Sequence, residues 1–394
     1  MTEREMFFKY LGLPSNQPLG LEIERAEGIY LFDSSGKRYI DFVSGISVSN
    51  IGHRHPEVIE AIHNQLDHYL HLNVYGEFVQ APQVKLAKAL VSFLPESLNS
   101  VYLVNSGSEA IEGAIKLSKR FTRRTEIIAF NNAYHGSTMG ALSILGNESL
   151  KNSFRPLIPD IRFLKFNDVD DLEGITIKTA CVVAETIQAE AGIIIPDKDF
   201  LNQLRRKCTE TGTLLVIDDV QMGFGRTGKL FSFEHFGINP DILVLAKAMG
   251  GGMPIGAFIS SKEIMETLTF NPELGHITTF GGHPVSCASA LASLQIISSG
   301  DLLETAEIKG KMICEKIQNH PAIREIRRKG LAIGVEINDI SIRKKLISAA
   351  LQNGLIVDWY LFHPTTFRIA PPLTIKPEEV EDACDRLIKS LDES

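Results

Sequence analysis

Residues 242–252 read ILVLAKAMGGG, and this stretch decides the fold. Five consecutive apolar residues precede Lys247, and an uninterrupted run of this length is typical of a strand buried on both faces of a parallel sheet. A lysine at the end of such a strand is poorly hydrated, which lowers its pKa and favours the neutral, nucleophilic amine. The alternative is a lysine whose ammonium group reaches solvent from the strand end. This stretch alone leaves both interpretations open.

A second apolar run lies earlier in the chain and ends at an aspartate. Residues 214–217 read LLVI, and Asp218 follows them. Ligands of open α/β sheets bind at the carboxyl edge of the strands, so Asp218 and Lys247 are expected at that edge. A carboxylate there can keep the pyridine nitrogen of pyridoxal phosphate (PLP) protonated, as PLP chemistry requires. A lone aspartate is more simply a loop or capping residue, but the pair favours a PLP site.

The surrounding chain alternates between strand-like and helix-like patterns. One helix face repeats at Ala110, Ala114, Leu117 and Phe121, every three or four residues. The pattern predicts an α/β fold in which helices flank a mainly parallel sheet. Its predicted strands are 101–104, 127–130, 181–184, 214–217 and 242–246.

The two ends of the chain differ from this middle part. The N-terminal stretch predicts a hairpin over 29–42, with its turn at 33–36. The last third predicts helices over 302–318 and 342–351 and strands at 335–337 and 367–369. We therefore predict an N-terminal segment (1–47) that packs with the small domain, a large cofactor-binding domain (48–288) and a smaller α+β domain (289–394).

Two loops add candidate cofactor contacts. Residues 105–110 read NSGSEA and open a predicted helix, with Ser106 and Glu109 at capping-box spacing. Free N–H groups at a helix N-terminus bind anions, so this loop is a candidate phosphate site, although an ordinary capped helix explains the same residues. Tyr134, after the strand at 127–130, could stack on a flat cofactor or simply pack at the rim.

Two further patterns are rejected as sites. Residues 223–230 read GFGRTGKL and nearly match a P-loop, but Leu230 replaces the hydroxyl residue that binds magnesium. His53 and His55 are spaced i, i+2, which does not place two imidazoles on one helix face. We predict neither an ATPase nor a metal site.

Composition narrows the class of protein. The formal net charge of −8 gives no reason to predict binding to nucleic acid or to anionic membranes. The five cysteines are scattered without a CxxC pair, as is typical of reduced thiols in a cytoplasmic protein. The sequence shows no signal peptide and no apolar run of membrane-spanning length.

Over 28–387 the sequence resembles the class III aminotransferases of PLP fold type I, whose members act on acetylornithine, ornithine, 4-aminobutyrate and other ω-amino compounds. The most specific match is 217–229, followed by Pro240, Asp241 and Lys247. The resemblance implies a seven-stranded sheet in the large domain. It also implies a ping-pong transfer of an amino group from an ω-amine or ω-amino acid to a keto acid, either 2-oxoglutarate or pyruvate.

The resemblance further implies roles for matching residues. Lys247 would form the internal aldimine and shuttle a proton, Asp218 would pair with the pyridine nitrogen, and Gln221 would contact the ring hydroxyl. Other implied cofactor contacts are Tyr134 and Val220 around the ring, Gly107 and Ser108 at the phosphate, and His135 and Glu185. Thr279 would reach the phosphate from the neighbouring subunit of a homodimer, whose active sites are shared.

On the substrate side, Arg368 would bind the carboxylate of glutamate or of a keto acid, and Glu190 would pair with it. Ser137 stands where enzymes for ornithine, acetylornithine and 4-aminobutyrate carry an arginine, at a cost to carboxylate binding of roughly one to several kcal/mol. This departure argues against acetylornithine and weakens 4-aminobutyrate, while Ile46, in place of a tyrosine, argues against ornithine. Asp219 and His283 also depart from the family pattern, and we expect both changes to be tolerated.

Two alternatives stay open. The same fold serves aminomutases, racemases and decarboxylases, which need no keto-acid acceptor. A catalytically silent relative that only binds other molecules is a second alternative, although Lys247 and Asp218 argue against it.

Overall fold

The computed structural model describes residues 1–197 and 199–394, which form three β-sheets surrounded by helices. Within these residues the strands are β1 (Ile23–Glu27), β2 (Tyr30–Asp33), β3 (Arg38–Asp41), β4 (Ser100–Val104), β5 (Glu126–Phe130), β6 (Ile161–Leu164), β7 (Thr179–Glu185), β8 (Leu214–Asp218), β9 (Ile242–Leu245), β10 (Gly256–Ser260), β11 (Ile323–Lys329), β12 (Ala332–Ile337), β13 (Leu355–Ile356), β14 (Asp358–Trp359) and β15 (Thr366–Ile369). The helices are α1 (Glu3–Tyr10), α2 (Ser44–Ser47), α3 (Pro56–Leu66), α4 (Ala81–Val91), α5 (Gly107–Thr122), α6 (Met139–Ser143), α7 (Phe200–Thr211), α8 (Lys262–Glu266), α9 (Pro284–Ser299), α10 (Leu302–Ile317), α11 (Arg343–Gln352) and α12 (Pro377–Asp392). The short α2 is a left-handed turn.

The central sheet has seven strands in the order β4-β10-β9-β8-β7-β5-β6. Its neighbouring strands run parallel except for β10, which is antiparallel to both β4 and β9. Strands β7, β8 and β9 are buried along their whole length, as their unbroken apolar runs predicted. The predicted α/β fold with a mainly parallel seven-stranded sheet is confirmed.

Successive side chains of the central strands pack into two separate cores, because a strand alternates between the two faces of its sheet. Leu215 and Ile217 of β8 belong to one core, while Val216 belongs to the other. The second core also contains Ala110 and Ala114 from the predicted apolar face of α5. Apolar cores therefore cover both faces of the sheet, which leaves its carboxyl edge to carry the side chains of a site.

The N-terminal hairpin pairs with a strand from the far end of the chain. Strand β3 lies parallel to β13, with Ile40 opposite Leu355, and this completes a four-stranded sheet. Ile40 and Phe42 share a core with Phe367 of β15. The division at 1–47, 48–288 and 289–394 stays a prediction, and its second boundary falls inside helix α9.

The loop that resembles a P-loop instead ties distant segments together. Arg226 is fully buried and donates hydrogen bonds to Asn50 Oδ1 at 2.6 Å, Pro371 O at 2.6 Å and Leu331 O at 3.2 Å. Burial lowers the pKa of Arg226 to about 9. This loop therefore has a structural explanation that needs no nucleotide.

The second rejected pattern also has a structural explanation. His53 Nε2 lies 2.9 Å from Asp41 Oδ2. Across 1–197 and 199–394, no group of three or more His, Cys, Asp or Glu side chains is arranged to hold a metal ion. In the same part of the chain, no helix has both the length and the apolar character needed to span a bilayer.

Candidate active site

A cavity of about 440 Å³ opens at the carboxyl edge of the central sheet, where β8 ends at Asp218 and β9 leads into Lys247. The cavity brings together every predicted cofactor position except Thr279. Its walls include Gly107, Ser108, Tyr134, His135, Glu185, Asp218, Val220, Gln221 and Lys247.

Lys247 lies two residues after the end of the buried strand β9 and lines the cavity. Its Nζ donates a hydrogen bond to Gln221 Oε1 at 2.8 Å. Desolvation lowers the pKa of Lys247 to about 8, with smaller effects of opposite sign from Glu190 and Arg368. The backbone has φ 50°, a conformation that a non-glycine residue adopts only where the surroundings impose it. The amine is therefore both positioned and partly neutral near pH 8.

Asp218 is buried and held from two sides. Its Oδ2 lies 2.7 Å from His135 Nδ1, and its Oδ1 accepts a hydrogen bond from Val220 N at 3.0 Å. His135 is itself buried, and its Nε2 has no hydrogen-bond partner in the described part of the chain. These contacts fix the direction in which the Asp218 carboxylate points.

Glu185 at the end of β7 adds a second buried carboxyl group beside Asp218. It accepts hydrogen bonds from Ala189 N at 3.1 Å and Tyr134 N at 3.3 Å. Burial, followed by the charge of Asp218, raises the pKa of Glu185 well above its usual value. Glu185 can therefore hold a proton under conditions in which an exposed glutamate would not.

The first turn of α5 forms another wall of the cavity. Ser106 Oγ accepts a hydrogen bond from Glu109 N at 3.2 Å, as the predicted cap requires. The Glu109 carboxylate does not return to Ser106 N but accepts from Asn105 N at 2.7 Å, so the capping box is only half formed. A Cβ atom on Gly107 would lie 3.1 Å from Val220, which leaves little room for a side chain.

These residues fit PLP. The cavity contains a desolvated lysine amine, a fixed carboxylate and a helix N-terminus whose N–H groups suit a phosphate. The family model described as Aminotransferase class-III matches residues 13–391.

The chain is a class III aminotransferase.

Relatives of this aminotransferase match it over nearly their whole length. The acetylornithine aminotransferase of Methanocaldococcus jannaschii is 39% identical over 391 residues, covering 95% of this chain and 93% of the relative. The [LysW]-aminoadipate semialdehyde/glutamate semialdehyde transaminase of Sulfurisphaera tokodaii is 37% identical over 384 residues, covering 95% and 96%. The solved ornithine aminotransferase of Toxoplasma gondii, whose active site holds PLP at partial occupancy, has a TM-score of 0.91 and 29% identity, covering 99% of this chain and 94% of that one. The predicted fold type, PLP cofactor and aminotransferase activity are confirmed.

The predicted substrate residues of the aminotransferase lie outside the walls of the cavity. Arg368 is buried, with 1% of its side chain exposed, and its Nη2 donates to Glu190 Oε1. Ser137 is exposed, and its Oγ lies 3.2 Å from Tyr134 Oη. Ile46 is also exposed, within the left-handed turn α2.

Two further residues bear on the aminotransferase site. Thr279 is exposed and does not reach the cavity of its own chain. Asp358, which the sequence reasoning missed, accepts a hydrogen bond from Arg368 Nη1 at 2.9 Å. It lies ten positions before Arg368, and only the pairing of β14 with β15 could have revealed the contact.

The uptake of PLP by cofactor-free aminotransferase should depend on pH with a midpoint near 8. On the prediction that Lys247 binds the cofactor, only its neutral amine is nucleophilic, so the uptake rate should rise about tenfold per pH unit below the pKa and level off above it. Stopped-flow absorbance at several pH values would measure this. A rate that still rises steeply toward about pH 10 would indicate an ordinary lysine with an unperturbed pKa.

Proposed function

We propose that this aminotransferase takes its amino group from an ω-amine or ω-amino acid and passes it to a keto acid, 2-oxoglutarate or pyruvate, held by Arg368. The observation that carries the proposal is the buried Arg368–Glu190 ion pair, whose two charges both act on the pKa of Lys247. A buried guanidinium group is suited to bind a carboxylate bidentately. When no substrate carboxylate is bound, Glu190 on Nη2 and Asp358 on Nη1 both pair with the guanidinium.

The residues of the cavity wall would divide the chemistry among them. PLP, when bound, takes up the amino group and the electron pair released when a C–H bond of the substrate breaks. The Lys247 amine would remove that proton and return it at the other carbon. Asp218 would hold a proton on the pyridine nitrogen, and its contact with His135 at 2.7 Å supports this role by fixing the carboxylate.

Other cavity residues would bind and orient the cofactor. Gln221, which contacts Lys247 Nζ, would contact the ring hydroxyl. Tyr134 and Val220 would enclose the ring, and Glu185 would lie beside it as a carboxyl that retains its proton. The first turn of α5, with Gly107 and Ser108, would hold the phosphate.

Glu190 would adapt the site to two kinds of substrate. When the bound molecule carries a carboxylate, that group would replace Glu190 on Arg368. When it carries none, Glu190 would stay on Nη2, so that this buried nitrogen keeps a hydrogen-bond partner. The same site could then accept an amine in one half-reaction and a keto acid in the other.

The donor is proposed to lack a carboxylate at the Ser137 end. Ser137 offers a hydroxyl near Tyr134 and no positive charge. The names of several relatives point to acetylornithine, whereas Ser137 points away from it. Rates measured with acetylornithine and with simple ω-amines as donors would therefore show whether the names of the relatives or the residue Ser137 is the better guide to the substrate.

The aminotransferase is proposed to act as a cytoplasmic homodimer that shares its active sites. Thr279 is exposed between Ile277 and Phe280, two large apolar side chains that are also exposed. Covering these side chains with a partner subunit would bury apolar area and bring Thr279 toward the partner's cavity.

The test is a spectroscopic titration of purified protein loaded with PLP. We expect a visible band from the bound cofactor that disappears with an amine donor and returns only when a keto acid is added. The donor that removes the band fastest identifies the substrate. Turnover without any keto acid would instead favour an aminomutase, racemase or decarboxylase, and a protein that never forms the band would be a silent relative.

A further inference from the structure

Arg368 is held by a second carboxylate besides Glu190. Asp358 of β14 is directly opposite Arg368 of β15 in the antiparallel register, which brings the two side chains together. Asp358 Oδ2 accepts a hydrogen bond from Arg368 Nη1 at 2.9 Å, while Glu190 contacts Nη2. The two acids thus occupy different nitrogens of one guanidinium group.

The third nitrogen of this guanidinium is unused. Arg368 Nε is buried and has no hydrogen-bond partner among the residues that the structure describes. A carboxylate binds a guanidinium best through two parallel N–H bonds, and Nε with Nη2 forms one such edge. Glu190 occupies only the Nη2 half of that edge. Displacement of Glu190 alone would therefore free a complete bidentate edge.

Asp358 fixes the orientation on which this edge depends. Among the described residues, Asp358 is the one hydrogen-bond partner of Arg368 Nη1, so without it this nitrogen would exchange a fixed, charged partner for mobile water. The guanidinium would then turn to share both terminal nitrogens with Glu190. The ring of Tyr360, 4.4 Å from the guanidinium carbon, limits tilting out of the plane but not rotation within it.

We propose that Asp358 is a positioning residue for keto-acid binding. Asp358 accepts the hydrogen bond from Nη1, so that Glu190 contacts Arg368 through Nη2 alone. The edge formed by Nε and Nη2 then stays directed at the incoming carboxylate. This inference rests on the proposed function, in which Arg368 binds that carboxylate.

The test measures binding and catalysis separately in the PLP-loaded enzyme. Calorimetry would give the Kd of glutarate, a dicarboxylate with no keto group, for the wild type, Asp358→Ala and Asp358→Asn. We expect Asp358→Ala to weaken glutarate roughly tenfold, the size of effect that a hydrogen bond to a charged group supports. Asp358→Asn retains an acceptor oxygen and should recover most of the affinity. For 2-oxoglutarate, Asp358→Ala should raise KM more than it lowers kcat.

Asp382→Ala is the matched control. Asp382 pairs with Arg386 and is 44% exposed, close to the 45% of Asp358, but it lies on helix α12. It should leave the Kd of glutarate unchanged. If Asp358→Ala does not fold, Asp358→Ser, whose hydroxyl is too short to reach Nη1, should weaken glutarate in the same way.

An unchanged or tighter Kd in the folded Asp358 variant would overturn the inference. Arg368→Ala separates this failure from failure of the proposed function. Loss of glutarate binding in Arg368→Ala, with no effect of the Asp358 variant, would reject the positioning role alone. Unaltered glutarate binding in Arg368→Ala would reject Arg368 as the carboxylate site.

Discussion

Replacement of Lys247 by alanine is expected to lower kcat by roughly 10³-fold or more, since a positioned acid–base group alone contributes about 10² to 10⁴. The substitution removes the amine that would bind the cofactor covalently and carry the substrate proton. The visible cofactor band should also disappear. Absorbance of the reconstituted protein, followed by steady-state kinetics, measures both effects.

Lys309 provides the control for this variant. It is also a buried lysine, but its Nζ donates to Leu373 O at 2.7 Å and lies outside the cavity. Lys309→Met should lower the thermal unfolding temperature and retain the cofactor band. A Lys247→Ala protein that keeps the band and most of its turnover would show that another group performs both tasks.

The change Asp218→Asn is expected to lower kcat by about 10² to 10³, the range observed when one fixed electrostatic contact to a reacting group is lost. The amide carries no charge and would no longer hold a proton on the pyridine nitrogen. Binding of the cofactor should weaken less than catalysis, because Tyr134, Gln221 and the first turn of α5 remain. Single-turnover kinetics with a saturating donor would separate the two effects.

Asp219, the next residue, is the matched control. It is also buried, but it accepts hydrogen bonds from Ser232 N at 2.9 Å and from the Ser232 hydroxyl, and it lies outside the cavity walls. Burial raises its pKa to about 7. Asp219→Asn should reduce stability and leave the single-turnover rate near that of the wild type. Equal losses in the two variants would argue against a specific role for Asp218.

The central strands were predictable where the sequence itself is unusual. Strands β7, β8 and β9 are buried on both faces, so each contains an uninterrupted apolar run, at 181–184, 214–217 and 242–245. Strand β6 was missed because it forms the edge of the sheet and carries the exposed Arg162. Strand β10 was missed because it begins at Gly256, shortly after the three glycines and the proline of 250–254, which read as a loop. Its antiparallel direction depends on pairing with β4 and β9, which no local pattern contains.

The part of the site that lies at the carboxyl ends of successive strands was predictable. Asp218 ends β8 and Lys247 lies two residues after β9, so prediction of two parallel strands places both at the carboxyl edge of the sheet. Asp358 could not be found this way, because its contact with Arg368 depends on the register of a different sheet. The partner of the Glu109 carboxylate was likewise decided by local geometry at Asn105 and not by the capping-box spacing.

The pairing of β3 with β13 also determines when the N-terminal sheet can be completed during synthesis of the chain. Ile40 cannot pair with Leu355 until the ribosome has reached the end of the chain. At about 5–20 residues per second, translation of the intervening chain takes roughly 15–60 s. During that interval the hairpin presents an unpaired edge and the apolar side chains of Ile40 and Phe42, which are buried in the finished protein. We therefore expect the N-terminal hairpin to be vulnerable to aggregation until the last part of the chain has been made.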